Sequence, residues 1–261
     1  MEVGYGKTEV AIRAAFKAIM DEKQVVLLVP TTVLAEQHYE RFCERFKNYP
    51  INIEILSRVQ TKKEQEESLK KIENGSADLI IGTHRLLSDD IKYKDIGLLI
   101  IDEEQKFGVK AKEKLKKLKG DIDILTLTAT PIPRTLNLSL LGIRDLSIID
   151  TSPEGRQKIQ TEYIDNNKDL IRDIILTEVS REGQVFYIFN SVKRIEMKSK
   201  ELRELLPEYI KVDYIHGQML ARDIKRAIHN FENGNTDVLI ATTIIENGID
   251  IENANTMIIE G

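Results

Sequence analysis

Short, continuously apolar runs alternate along the chain with amphipathic stretches of helical period. A typical run is 24–29 (QVVLLV), which ends at Pro30. Runs of this length without alternating polar positions are typical of strands that are covered on both faces. In the first half the pattern predicts strands at 24–29, 52–56, 78–81, 98–101 and 122–127, and helices at 9–20, 33–46, 61–74 and in the lysine-rich stretch that follows residue 105.

The same alternation resumes after a stretch of turn residues at 150–157 (DTSPEGRQ). Alternating strands and helices predict parallel sheets with right-handed crossovers. We therefore expect an α/β protein with two tandem parallel-sheet lobes, residues 1–150 and 161–261, joined by a linker at 151–160. In the second lobe the predicted strands are 184–189, 212–215, 238–241 and 256–259, and the predicted helices are 168–181, 194–206 and 222–233.

One segment of the first lobe resembles a segment of the second. Residues 73–83 (ENGSADLIIGT) and 232–242 (ENGNTDVLIAT) share the order helix end, Asn-Gly stop, aspartate, apolar strand and threonine. Helix-to-strand junctions look alike in many proteins, so one match does not prove a duplication. It favours two similar lobes, each with a threonine loop at its ligand edge, and a cleft between them.

Composition narrows the class of protein. The 261 residues are 41% hydrophobic and 31% charged, with a net charge of −5 that neither supports nor excludes nucleic-acid binding. The single cysteine, Cys43, excludes an intramolecular disulfide and suits a reducing cytosol. No apolar run is long enough for a membrane span. We expect a cytoplasmic protein without a membrane partner, and a solvated face for the lysine-rich stretch.

The first helix begins with a glycine-rich stretch, 4–9 (GYGKTE). Glycines let backbone N–H groups close around a phosphate, Lys7 reaches the β- and γ-phosphates, and the Thr8 hydroxyl binds Mg²⁺. The full motif has a further glycine where this chain has Met1, and the alternative is a chance match in an ordinary turn. The expected nucleotide-binding residues are Gly4, Gly6, Lys7, Thr8 and Glu9.

Acidic residues follow the apolar run 98–101, in the order Asp102-Glu103-Glu104-Gln105. Acidic residues often end strands or cap helices, but beside a phosphate loop they have a chemical role. Asp102 is expected to bind Mg²⁺ together with Thr8, and Glu103 to position and polarise the attacking water. The predicted catalytic residues are therefore Lys7, Asp102 and Glu103, and the predicted cofactors are ATP and Mg²⁺.

A proline- and threonine-rich loop, 126–135 (TLTATPIPRT), follows the last predicted strand of the first lobe. Two prolines stiffen the loop and fix its hydroxyls at the edge of the sheet. Such a loop can sense the γ-phosphate on one side and contact a second ligand on the other. The plain alternative is a turn followed by a proline-started helix. The residues expected to couple the two ligands are Thr128, Thr130 and Arg134.

Hydroxyl and basic side chains also follow two other predicted strands. Such groups suit the phosphates of a nucleic-acid backbone, although ordinary helix capping is as good an explanation for each one alone. Aromatic residues are only 6% of the chain and tryptophan is absent, so backbone tracking is favoured over base stacking. The further residues expected at DNA are Thr31, Thr83, His84, Arg85, Thr242, Thr243, Gly248 and Asp250.

In order and spacing, these motifs resemble those of the superfamily-2 helicase-like DNA translocases, and within them the motor of the bacterial transcription-repair coupling factor family. The RecG-type helicases are similar but carry histidine where this chain has Gln105, and the segment 140–146 (LLGIRDL) also favours the coupling factors. The segments that carry the resemblance are 4–9, 30–38, 81–87, 102–105, 128–135 and 242–250.

The resemblance implies two RecA-like lobes with Mg²⁺ and ATP between them and double-stranded DNA across their shared edge. It implies an ATP-driven translocase that acts on stalled RNA polymerase and helps to recruit nucleotide-excision-repair proteins through modules outside this chain. The sequence stops at Gly261, before the family's arginine-finger motif, and lacks the strand before the phosphate loop. We therefore expect an internal piece of the motor, weak or inactive alone.

Two other classes of protein stay open. A P-loop kinase or GTPase needs only one lobe and a different acceptor or base-reading site, which the second lobe and the Asp102–Gln105 box argue against. A non-catalytic module that binds nucleotide or DNA is the stronger rival for this chain. Weak nucleotide binding without turnover would favour it.

Overall fold

The computed structural model describes residues 5–57, 60–108, 111, 114, 122–129, 145–151, 159–164, 167–242, 251 and 253–260. The chain divides into two compact units, Met1–Lys158 and Ile159–Gly261. The predicted linker lies mostly outside the described residues, as does most of the predicted lysine-rich helix. In the described part of the chain, no helix has the length and apolar character that crossing a membrane requires.

A five-stranded parallel sheet forms the centre of the first unit, with strand order β2-β3-β1-β4-β5. The central strands are fully buried because helices cover both faces, as the continuous apolar runs predict. The strands are β1 (Gln24–Leu28), β2 (Ile53–Leu56), β3 (Leu79–Gly82), β4 (Ile96–Asp102) and β5 (Asp123–Leu127).

Among the described residues, three α-helices accompany this sheet, α1 (Lys7–Met20), α2 (Thr32–Phe46) and α3 (Lys62–Asn74). Helices α1 and α2 pack on the face that carries Val25 and Leu27, and α3 packs on the opposite face. The Thr31 hydroxyl caps α2 by accepting from the Leu34 N–H at 3.3 Å. Thr61 and Glu64 form a reciprocal capping box at the start of α3.

Two short 3-10 helices were not predicted, η1 (His84–Leu87) after β3 and η2 (Glu104–Lys106) after β4. Both are single turns at the carboxyl ends of strands, too short to have a periodic pattern of their own. They matter because they fix the direction of the side chains that leave the sheet at this edge.

The second unit contains a four-stranded parallel sheet with strand order β7-β8-β6-β9. Helices α4 and α5 pack on one face around the buried Tyr187, and the Phe231 ring of α6 meets the Phe186 ring of the other face at 4.8 Å. The elements are α4 (Lys168–Ser180), β6 (Val185–Phe189), α5 (Ile195–Leu205), β7 (Val212–Ile215), α6 (Ala221–Glu232), β8 (Val238–Ala241) and β9 (Thr256–Glu260).

The two units repeat one another in detail. The order β7-β8-β6-β9 is the order β2-β3-β1-β4 with each strand replaced by its counterpart. Asp78 Oδ2 accepts from the Asn52 N–H at 2.7 Å, and Asp237 Oδ2 accepts from the Lys211 N–H at the same distance. These two aspartates are the ones that align in the sequence repeat, so the repeat corresponds to two similar folds.

A buried glutamine fastens the amino ends of the strands in each unit. Gln24 donates from its amide to the carbonyls of Ile72 and Ala77 at 3.1 and 2.9 Å. Its side-chain oxygen accepts from the N–H groups of Lys94 and Asp95 at 2.8 and 3.2 Å. One side chain therefore joins the start of β1 to the segments that lead into β3 and β4.

Gln184, the counterpart of Gln24, makes only half of these bonds. Its amide donates to the carbonyls of Phe231 and Thr236, but its side-chain oxygen has no hydrogen-bond partner among the described residues. Buried polar groups that lose their partners cost free energy. Replacing Gln24 therefore removes four hydrogen bonds, whereas replacing Gln184 removes two hydrogen bonds and one buried oxygen that has no partner among the described residues.

We expect Gln24→Leu to destabilise the first unit by about 2 kcal/mol, because it leaves four backbone groups without their partner. Gln184→Leu is the matched control and is expected to cost the second unit less, because it also removes a buried oxygen that has no partner. Native-state hydrogen exchange of the β1 and β6 amides measures each unit separately. Equal losses in the two units would contradict this account.

Candidate active site

The phosphate loop leads into α1 through a left-handed residue. Gly6 has φ 81° and ψ 20° and lies at the N-cap of α1, directly before Lys7. A Cβ at Gly6 would meet no atom within 4 Å, so the need for glycine is conformational and not steric. Lys7 and Thr8 occupy the first turn of the helix, where free N–H groups and the helix dipole favour an anion. Gly4 lies outside the described residues.

Glu9, which was expected at the nucleotide, has its carboxylate held by two arginines. Arg13 Nε lies 2.8 Å and Arg45 Nη2 3.1 Å from Glu9 Oε1. The hydrogen bond from Arg13 and the charge of Arg45 hold the pKa of the Glu9 carboxyl below its ordinary value. The structure thus places Glu9 in an exposed ion-pair cluster that ties α1 to α2.

Lys7 and Glu103 form an ion pair between the start of α1 and the end of β4. Lys7 Nζ donates to Glu103 Oε1 at 2.9 Å, and both side chains are largely buried, with exposures of 13% and 19%. The residues are 96 positions apart in the sequence. They meet because α1 begins at the same edge of the sheet at which β4, the neighbour of β1, ends. Two of the three predicted catalytic residues therefore touch each other.

Three further groups hold the Glu103 carboxylate. The Ala129 N–H donates to Oε1 at 3.3 Å, and the Gln105 amide donates to Oε2. The Thr128 hydroxyl lies 3.3 Å from Glu103 Oε2 and 3.2 Å from Gln105 Oε1, so its single proton serves one acceptor at a time. The carboxylate thereby links the phosphate loop to the loop after β5.

The backbone of Glu103 is also unusual. Its φ of 52° and ψ of 54° place a residue with a long side chain in the left-handed region, between the end of β4 and the first turn of η2. Such a conformation persists in a bulky residue only where the surroundings over-determine it. Here the turn brings the carboxylate back toward Lys7.

Asp102, the last residue of β4, is in contact with a histidine of α2. His38 Nε2 lies 3.2 Å from Asp102 Oδ2, and the side chains are 5% and 13% exposed. The sequence predicts no role of its own for His38, which is the last residue of the segment 30–38 that carries the family resemblance. The available signal was its position on the buried face of α2, between Leu34 and Phe42.

The DNA residues predicted in the first unit lie at the ends of its strands. Thr83 is buried and precedes η1, and the His84 ring lies 5.0 Å from the Phe107 ring. Arg85 is held by Asp90 in a two-pronged ion pair, with distances of 2.7 and 2.6 Å. This pair lowers the pKa of the Asp90 carboxyl through the hydrogen bond from the guanidinium. A phosphate that approaches Arg85 must therefore compete with the Asp90 carboxylate for the guanidinium.

The remaining predicted residues divide between the second unit and the undescribed segments. Thr242 is buried at the end of β8, at the position that corresponds to Thr83 in the first unit. In the first unit, Thr31, which was expected at DNA, uses its hydroxyl to cap α2. Residues outside the described part of the chain are Thr130, Arg134, Thr243, Gly248 and Asp250.

The available donors fit a magnesium ion that is shared with a phosphate ligand. The Thr8 hydroxyl and the Asp102 carboxylate are hard oxygen donors of the kind Mg²⁺ prefers. Among the described residues, no group of three or more histidine, cysteine, aspartate or glutamate side chains could hold a metal by itself. One carboxylate and one hydroxyl are a sufficient protein contribution for Mg²⁺, which usually keeps waters and binds through one or two carboxylates and the substrate's phosphates.

Two tandem parallel-sheet units, with a lysine at a helix start beside an acidic strand end, define the architecture of a helicase-type motor. A family model described as DEAD/DEAH box helicase matches residues 1–138, and one described as helicase conserved C-terminal domain matches residues 166–261. The chain belongs to the DEAD/DEAH box helicase family.

The predicted resemblance to the transcription-repair coupling factors is confirmed by curated relatives. The chain is 57% identical to the transcription-repair-coupling factor of Bacillus subtilis and 52% identical to that of Staphylococcus haemolyticus. Each match covers 99% of this chain and 22% of the relative, so the chain spans about a fifth of the length of these proteins.

Solved structures confirm the predicted fold class of two RecA-like lobes. RecG bound to a three-way DNA junction matches with a TM-score of 0.74 and 34% identity, covering 98% of this chain and 34% of that one. Dbp5 of S. cerevisiae, bound to RNA and ADP BeF3, matches with a TM-score of 0.74 over 97% of this chain and 67% of that one. At 20% identity the second likeness shows the fold alone.

Proposed function

We propose that the chain is the ATP-hydrolysing motor of a double-stranded DNA translocase that acts on stalled RNA polymerase in transcription-coupled repair. The observation that carries this proposal is the contact of Lys7 with Glu103, which in turn contacts Thr128. It connects a phosphate-binding lysine, an acidic residue suited to polarise water and the loop predicted to face DNA. The coupling factors named above support the repair role.

Glu103 forms its ion pair with the lysine that a phosphate would need. An arriving γ-phosphate is an anion that competes with the carboxylate for the Lys7 ammonium. Binding would take Lys7 away from Glu103 Oε1, which keeps the Ala129 N–H, while Gln105 and Thr128 still hold Oε2. The lone pair of Oε1 that Lys7 had used is then available to accept a proton from the attacking water.

Thr8 and Asp102 are the residues that would hold Mg²⁺. Mg²⁺ bound there would neutralise charge on the phosphate oxygens. The carboxylate of Asp102 is already mostly buried and hydrogen-bonded to His38, so little reorganisation is needed for it to act as a ligand. The N–H groups of the first turn of α1 contribute the remaining positive potential.

Thr128 is the group through which the nucleotide would affect DNA. Its hydroxyl lies within hydrogen-bonding distance of both Glu103 and Gln105, so a movement of the Glu103 carboxylate away from Lys7 would reach the loop through Thr128. The loop that Thr128 begins contains Thr130 and Arg134, which we propose as the DNA-coupling residues. Phosphate contacts of this kind follow the backbone without reading the sequence, as a translocase requires.

The main test is the ATPase rate with and without long duplex DNA. It should be measured in the 261-residue chain and in a version extended at both ends, because the chain spans only a fifth of its relatives. DNA-stimulated turnover in the extended version supports the proposal. Nucleotide binding without turnover in both versions would favour a binding module, and stronger stimulation by a three-way junction than by linear duplex would favour a RecG-type activity.

We expect Glu103→Gln to lower the turnover rate about 100-fold or more while nucleotide binding is retained, because the amide cannot accept the proton. Glu73→Gln is the matched control, since Glu73 is an exposed residue near the end of α3 that pairs only loosely with Lys92, at 3.4 Å. Steady-state rates and the affinity for a fluorescent ATP analogue separate the two effects. Equal rates for the two variants would contradict the role of Glu103.

A second expectation concerns the Arg85–Asp90 pair. Asp90→Asn removes the charge that competes with DNA phosphate for Arg85, so duplex affinity should rise about two- to fivefold, with a steeper salt dependence. Asp95→Asn is the control, because it makes the same charge change in another exposed ion pair, with Lys23 at 2.7 Å. Fluorescence anisotropy over a series of salt concentrations measures both. The same gain in both variants would show a general charge effect and contradict a specific role for Arg85.

A further inference from the structure

His38 is a polar ring on an otherwise apolar helix face. The buried face of α2 consists of Leu34, Ala35, His38, Phe42 and Phe46, and His38 itself is only 4% exposed. Burying an imidazole among apolar side chains is unfavourable unless its polar atoms find partners. An apolar residue at this position would complete the face, so the histidine calls for an explanation other than packing.

The hydrogen bonding of the ring fixes its tautomer. Asp102 is a carboxylate and only accepts, so His38 Nε2, at 3.2 Å from Asp102 Oδ2, must carry the proton. His38 Nδ1 is buried and has no hydrogen-bond partner among the described residues. The geometry therefore requires a proton on Nε2, which donates to Asp102.

This hydrogen bond constrains the carboxylate. The His38 ring lies between Asp102, at the end of β4, and the Phe42 ring, whose centroid is 6.4 Å away. Because the ring is buried among these neighbours, packing restricts the position of its Nε2–H donor. A fixed donor on Oδ2 limits rotation of the Asp102 carboxylate and keeps its other lone pairs in one direction. Partners of this kind orient metal-binding side chains and tune their affinity.

We propose that His38 is a positioning residue that holds Asp102 in the orientation needed for the Mg²⁺ of the bound nucleotide. The inference rests on the proposed function, because it assigns His38 to the same nucleotide site. It differs from a packing role in one consequence. Loss of the Nε2–H donor should weaken the contribution of Mg²⁺ to nucleotide binding and leave magnesium-free binding unchanged.

The test compares nucleotide affinity with Mg²⁺ and with a chelator, using a fluorescent ADP analogue and the whole 261-residue chain. In His38→Leu we expect the gain in affinity from Mg²⁺ to fall about tenfold. His38→Gln should recover most of that gain, because its amide can also donate to Asp102. Phe42→Leu is the control for packing, since it removes fully buried volume from the same helix face without removing the donor. Its melting temperature should fall while its Mg²⁺ gain stays as in the unchanged chain.

A spectroscopic measurement on the nucleotide-free chain tests the geometry directly. ¹⁵N spectra of histidine should show a proton on His38 Nε2, and Asp102→Ala should shift that signal. A His38 Nε2 without a proton, or an undiminished Mg²⁺ gain in His38→Leu, overturns the positioning role and leaves the proposed function intact. Absence of nucleotide binding in the unchanged chain overturns the proposed function and this role together.

Discussion

The ion pair between Lys7 and Glu103 is the interaction on which the rest of the site depends. It joins the first residue of α1 to the residue after β4, and these can meet only where β4 lies beside β1 in a parallel sheet. Under the proposed function, the carboxylate and an incoming phosphate compete for the Lys7 ammonium, because two anions close to one side chain repel each other.

The sheet accounts for why the other groups converge on this pair. Ligands of open parallel sheets bind beyond the carboxyl ends of the strands, and Asp102, Thr128 and the start of α1 all lie at that edge. The opposite edge has a structural role, which is visible in the hydrogen bonds of Gln24. The second unit repeats the strand order and the buried glutamine, so the same frame is used twice in the chain.

Most of the fold could be predicted because its determinants are local. Continuous apolar runs predicted the strands to within one or two residues, and the predicted helices 33–46 and 61–74 agree with α2 and α3 to within one residue. The sequence repeat around Asp78 and Asp237 does not by itself distinguish two similar lobes from two ordinary helix-to-strand junctions. The matching strand orders of the two sheets make that distinction.

The contacts within the site could not be predicted, because they join residues far apart in the chain. The motifs placed Lys7 and Glu103 at one nucleotide, but nothing in the sequence indicated that they bind each other. The contact of His38 with Asp102 spans 64 positions and depends on the packing of α2. The pair of Arg85 with Asp90 is local, yet it depends on η1, a single turn without a periodic signal.

The most direct test of the central claim is a crystal structure of the chain with a non-hydrolysable ATP analogue and Mg²⁺. The account predicts that Lys7 Nζ moves from Glu103 Oε1, now 2.9 Å away, to a phosphate oxygen, while Oε2 keeps its contacts with Gln105 and Thr128. An analogue bound with the Lys7–Glu103 pair still intact would contradict it.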